Sequence, residues 1–181
     1  GSGGGLVIEG NSSAELLSGS IVGCTSDKGG GVYVVLGASF VLGDGESPAR
    51  IIGCTAMRDG TADQLYGGGV YVASVGKSTF TVGGTVTITG NRHQGSTSNV
   101  YLNGDKTITL ASNLSDTSRI GVNKAGADKG AVKFATGASS ANTLAYYKSI
   151  FSSDVDKNLY KITNDDQWNL YIGAHQHTWN Y

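Results

Sequence analysis

The six residues GGGVYV occur at 29–34 and return at 67–72. Three consecutive glycines are entropically expensive to order, so their return ahead of the same apolar tripeptide marks a structural repeat. Counterparts stand on either side, GGGLVI at 3–8 and TSNVYL at 97–102. The first apolar residues of these strands, Leu6, Val32, Val70 and Val100, are 26, 38 and 30 residues apart.

A second strand follows each of them: AELL at 14–17, SFVL at 39–42, TFTV at 79–82 and TITL at 107–110. A third closes three of the units, SIVGCT at 20–25, RIIGCT at 50–55 and TITGNR at 87–92, and the last unit ends instead on RIGV at 119–122. Three short strands per unit, joined by turns of unequal length, predict the coils of a parallel β-helix. Each coil is an open layer that buries its apolar residues only by stacking on the next. The glycines are then corners with φ > 0, and DGESPA and AMRDGTADQLY are insertions pushed outward at corners.

Composition agrees with punctuated strands. The chain has 29 glycines and one proline in 181 residues, far more glycine than usual but without the three-residue period of collagen. A net charge of -1 without basic runs argues against nucleic acid and anionic membrane surfaces as partners. No apolar run is long enough to span a bilayer, and the first ten residues lack the charged and apolar regions of a signal peptide.

Residues 123–174 break the rhythm. GADKGAVKFATG predicts one more irregular rung through Val132 and Phe134. In ANTLAYYKSIF, Leu144, Tyr147, Lys148 and Phe151 have helical spacing, with Ser140 as N-cap. LYKIT-NDDQ-WNLYI reads as a hairpin, with Tyr160 and Ile162 on one strand and Trp168, Leu170 and Ile172 on the other. This helix-plus-hairpin segment is the expected cap over exposed strand edges, and 175–181 is a spacer to a following module.

Candidates for chemistry are few. Cys24, Cys54 and Asn91 share one column of the repeat, as small buried side chains with Asn91 bonding backbone at the bend. Neighbouring-coil spacing lies inside the disulfide window, so the sequence leaves the two cysteines either bridged or free. Thr79 and Thr81 stack over Thr107 and Thr109, the T-x-T pattern of some ice-binding β-helices, but the column breaks at Ser39 and Val41. Asp154, Asp156 and Asn158, with Asp165 at the twelfth position, partly copy a calcium loop. Leu159 stands where the loop needs glycine, which favours a solvated turn. His175 and His177 lie on one face of a strand, a geometry a metal can use, with no acidic or thiol neighbour in sequence. The acids Asp27, Asp44, Glu46, Asp59 and Asp63 fall in corners, so the strand-face carboxylates of polysaccharide-cleaving β-helices are missing. Catalytic, cofactor and metal sites are therefore read as none.

The VYV strand, IIGCTA, TITGN and NVYLNGDKTITLASNLSDTSRIGV resemble the right-handed parallel β-helix repeats of bacterial adhesin-like cell-surface proteins. They resemble more loosely the GGA(I/L/V) and FxxN repeats of polymorphic outer-membrane autotransporters. The resemblance covers 6–122, and FSSDVDKNLYKI and HQHTWNY are loosely similar to terminal segments and spacers of such proteins. The expected fold is all-β: a right-handed parallel β-helix of about four coils over 1–122, with a small C-terminal helix-plus-hairpin cap. The implied role is a non-catalytic extracellular adhesin or stalk that presents or binds a host or neighbouring-cell glycan or protein. A polysaccharide-acting enzyme or lectin is the alternative, and ice binding a lesser one. A bare first coil further suggests a segment of a longer surface protein, whose coils continue before Gly3 and whose adjacent module follows Tyr181.

Overall fold

The computed structural model describes residues 1–43, 46–59, 66–155 and 160–174. They are mostly β, and the parallel strands curl around one interior. Three ladders carry the fold. The first stacks Leu6–Ile8, Val32–Val34, Val70–Val72, Val100–Leu102 and the second half of Arg119–Lys124, with Leu6, Val32, Val70, Val100 and Val122 in register. The second stacks Ser13–Leu16, Ser39–Gly43, Thr79–Gly83, Ile108–Leu110 and Val132–Thr136. The third stacks Gly19–Val22, Ala49–Ile52, Val86–Thr89, the first half of Arg119–Lys124 and Phe151–Ser153. All three are parallel because each strand's counterpart lies one full repeat away in sequence.

Alternation along each strand sends every second residue inward. Val32, Val70, Val100 and Val122 are fully buried in the first ladder, Phe40, Phe80 and Ile108 in the second, and Ile51 and Ile88 in the third, all within one core. Phe40 and Phe80 stack at 5.6 Å between centroids.

The repeat alignment holds in the first and third ladders and slips once in the second. The first unit pairs Ala14 with Phe40 and Leu16 with Leu42, so the strand is Ser13–Leu16 rather than 14–17. The slip turns Glu15 outward and leaves Leu17 44% exposed. A carboxylate facing the core costs more than a leucine facing water. A short corner ladder, Thr25–Ser26, Thr55–Ala56 and Arg92–His93, was not expected. The ladders also run on past Val122, because Arg119–Lys124 passes straight from the third ladder into the first without a corner.

The triple glycine serves two needs. Gly29 has φ 58°, a left-handed turn that glycine adopts without strain. Gly31 has no left-handed φ, but a Cβ there would stand 2.7 Å from both the Gly69 carbonyl oxygen and Ile51 Cγ2. Close approach of the next row, rather than a left-handed bend, demands that glycine.

The helix is Leu144–Ile150, shorter than expected at both ends. Its N-cap is Thr143, whose hydroxyl accepts from the Tyr146 backbone N–H at 3.2 Å. Ser139 and Ser140 sit in a preceding turn, where the Ser139 N–H donates to the Tyr147 hydroxyl at 2.6 Å. Phe151 leaves the helix to begin the last third-ladder strand, drawn into register with Ile120. The hairpin pairs Tyr160–Asn164 with Leu170–Ala174, and the latter strand joins Val132–Thr136 antiparallel. Trp168 lies in the turn with φ 56°, not in the strand. Ile150, Phe151, Ile162, Leu170 and Ile172 are all buried there.

Candidate functional site: the outer tyrosine column and the inner polar column

The middle residue of each VYV strand points away from the core. Tyr33, Tyr71 and Tyr101 stack face to face, with centroids 5.4 and 5.6 Å apart. Tyr66 closes over the column edge-on to Tyr71 and to His93, and Lys28 and Arg58 stand 5.3 and 5.7 Å from its ring. Burial raises the Tyr33 and Tyr71 hydroxyls above the usual tyrosine range, and the Tyr71 hydroxyl accepts from Asn103 Nδ2 at 3.0 Å. The column runs from half-buried Tyr33 to buried Tyr71 and Tyr101. In the next row Asn123 replaces tyrosine, and there a cleft of about 420 Å³ opens. Its walls include Tyr101, Asn123, Lys124, Asp128, Lys129 and Tyr160. Asp128 and Lys129 are exposed and Tyr160 half-exposed, giving one aromatic face and a polar rim of both charges to a ligand.

The inner side of the corner carries a second column. Ile21, Ile51, Ile88, Ile120 and Phe151 are in register, and three residues beyond them stand Cys24, Cys54, Asn91 and, in the last row, Asp154. The row without a corner is filled from the other side by Asn99. Each backbone N–H donates to the side chain one row on: Cys54 to Asn91 Oδ1 at 2.9 Å, Asn91 to Asn99 Oδ1 at 3.0 Å, Asn99 to Asp154 Oδ2 at 2.5 Å. Asn99 Nδ2 adds a bond to Asp154 Oδ1 at 2.6 Å, and Asn91 Nδ2 donates to the Ile51 and Thr89 carbonyls. Asn91 therefore bonds backbone at the bend, as its position in the repeat implied. Cys24 and Cys54 sit in adjacent rows as free thiols, half-buried and buried respectively.

These contacts reassign the calcium-loop residues. Asp154 is not a solvated turn residue, because it terminates the polar column. Asp165 caps the hairpin turn, accepting from the Gln167 and Asn169 N–H groups, Asn169 Nδ2 and the Tyr171 hydroxyl at 2.8–3.0 Å. These bonds, led by the Asn169 side chain, hold its carboxyl below the usual range. Asp156, Asn158, His175 and His177 lie outside the described residues, as do Asp44 and Asp63. Of the other corner acids, Asp27, Glu46 and Asp59 are exposed. Among the described residues, no three His, Cys, Asp or Glu side chains converge as a metal would require, and no helix is long and apolar enough to cross a membrane.

On the outer face of the second ladder the threonine column gains a rung. Thr81, Thr109 and Thr136 are in register, while Val41 precedes them as expected and Thr79 bonds Ser39 at 3.0 Å. Sequence reasoning passed over the tyrosine column, Asn99 and the cleft. The alternation in VYV was the available signal for the first, since two inward valines require an outward tyrosine. Comparisons with protein-family models, curated proteins and solved structures found no match.

Proposed function

We propose that the three ladders are the faces of a right-handed parallel β-helix, about four regular coils and one irregular rung under a helix-and-hairpin cap. We further propose that it is a non-catalytic extracellular module of a bacterial surface protein that binds glycan through the cleft beyond Tyr101. The surface assignment rests on the resemblance of residues 6–122 to adhesin-like repeats, and five-deep registers support the helix. One observation favours binding over cleavage. Asp128 is the single carboxylate among the described residues lining the cleft, whereas glycoside hydrolysis generally uses a facing pair. The half-exposed Tyr160 ring offers an apolar face, and Asp128 and Lys129 offer hydrogen-bond partners, the usual composition of a small-ligand site.

A glycan array run beside a reducing-sugar release screen tests this reading. Binding that falls at least about tenfold in Tyr160→Ala, equivalent to about 1.4 kcal/mol, without sugar release, is expected. Turnover of any polysaccharide, or binding indifferent to Tyr160 and Asp128, overturns it.

A further inference from the structure

The first row is the least enclosed part of the core, and one of its inward side chains is a thiol. Val22 pairs with Ile52 and Thr25 with Thr55, so the register on both flanks sets Cys24 opposite Cys54. Parallel neighbours stand about 4.8 Å apart, within the roughly 4.4–6.8 Å between Cα atoms that a disulfide spans. Both sulfurs point the same way, over the third glycine of a triplet. A Cβ on Gly5 would be 3.2 Å from Cys24 Sγ, and one on Gly31 would be 3.3 Å from Cys54 Sγ. Cys54 Sγ also reaches back to the Ile21 carbonyl of the first row at 3.8 Å.

We propose that Cys24 and Cys54 are a disulfide-forming pair that staples the half-buried first row to the second, closing by exchange with a small-molecule disulfide. Cys24, the more exposed thiol, loses its proton to solvent and attacks the small disulfide, releasing one thiol and forming a mixed disulfide at Cys24. The Cys54 thiolate then attacks the Cys24 sulfur and expels the second small thiol, which takes up the remaining proton. Two protein thiols are oxidised and one external disulfide is reduced to two thiols. Burial pushes the Cys54 thiol above its ordinary range, so it resolves the intermediate rather than starting the reaction. The cross-link closes a loop of about 30 residues, and by constraining the unfolded chain it raises the melting temperature by about 5–10 °C.

The test uses the intact chain held with oxidised glutathione, then analysed by intact mass, thiol titration in denaturant and peptide mapping. The expected result is a monomer lacking two hydrogens, with no titratable thiol, a Cys24–Cys54 cross-linked peptide and a raised melting temperature that dithiothreitol reverses. Cys24→Ser should abolish the mass change and the shift. Two thiols that stay free, glutathione that stays attached to Cys24, or dimers linked through Cys24 each overturn the proposal.

Discussion

The two ends of the stack are built from the same columns and enclosed very differently. In the first row Leu6, Ala14, Leu16, Ile21 and Cys24 are only half-buried, although their counterparts Val32, Phe40, Leu42, Ile51 and Cys54 one row on are fully buried. Val7 and Val22 are 41% and 58% exposed on the outer faces of that row. At the other end Ile150 of the helix, Phe151 after it, and Leu170 and Ile172 of the hairpin are all buried. A rung therefore contributes little by its own sequence. Its stability comes from having a neighbour on each side, as in repeat proteins generally.

The largest expected effect comes from one substitution made in two rows of one column. Leu42→Ala should cost about 3 kcal/mol, transfer plus cavity. Leu16→Ala, in register with it, should cost about 1 kcal/mol, since much of that side chain already meets solvent. Urea unfolding of both variants measures the difference, and equal losses would break the comparison.

The polar column gives a smaller contrast. Asp154→Ala strands the Asn99 N–H and amide in a part-buried corner and should cost about 2 kcal/mol. Asp154→Asn, which keeps an acceptor, should lose about half as much. At the half-buried end of that column Cys24→Ala, under reducing conditions, should stay within about 0.5 kcal/mol. The same unfolding assay reads all three, and a neutral Asp154→Ala would remove the column's energetic role.

The smallest expected effect is a pH slope at the covered end. Lys124 Nζ donates to the Gly104 and Lys106 carbonyls at 2.5 and 2.6 Å, yet burial lowers its pKa from 10.5 to about 8. Between those values the unfolded chain holds a proton the folded chain has released, so stability rises with pH across the window. The stability of the wild type relative to Lys124→Met should climb by about 1–2 kcal/mol from pH 8 to 10.5, below the full shift because the site is partly solvated. A flat difference would mean the carbonyls keep the ammonium charged.

Much of this was legible in the sequence because stacked rows repeat their inward residues. Ile21, Ile51, Ile88 and Ile120 announce one column, and the glycine triplets announce its corners. The slip at Ala14 arose where repetition was weakest, in a row with adjacent leucines, where either register turns one leucine inward and only the observed one also turns Glu15 outward. The strand Phe151–Ser153 was hidden because Phe151 continues the helical spacing of Leu144, Tyr147 and Lys148, and pairing with Ile120 overrides that local preference. Asp154 read as a loop acid for the same reason: its column follows from Phe151 being in the third ladder. The cleft had no local signal, since its walls come from three separate segments.

Hydrogen exchange resolved by row tests the dependence of each rung on its neighbours most directly. In a proven monomer under reducing conditions, amides of residues 3–25 should exchange fastest. Those of 67–110 should be protected most, and the buried strands 151–153 and 170–174 should resemble the middle rather than the first row. Protection of 3–25 equal to that of 67–110 would contradict the account, because rungs would then be stable without a neighbour on each side.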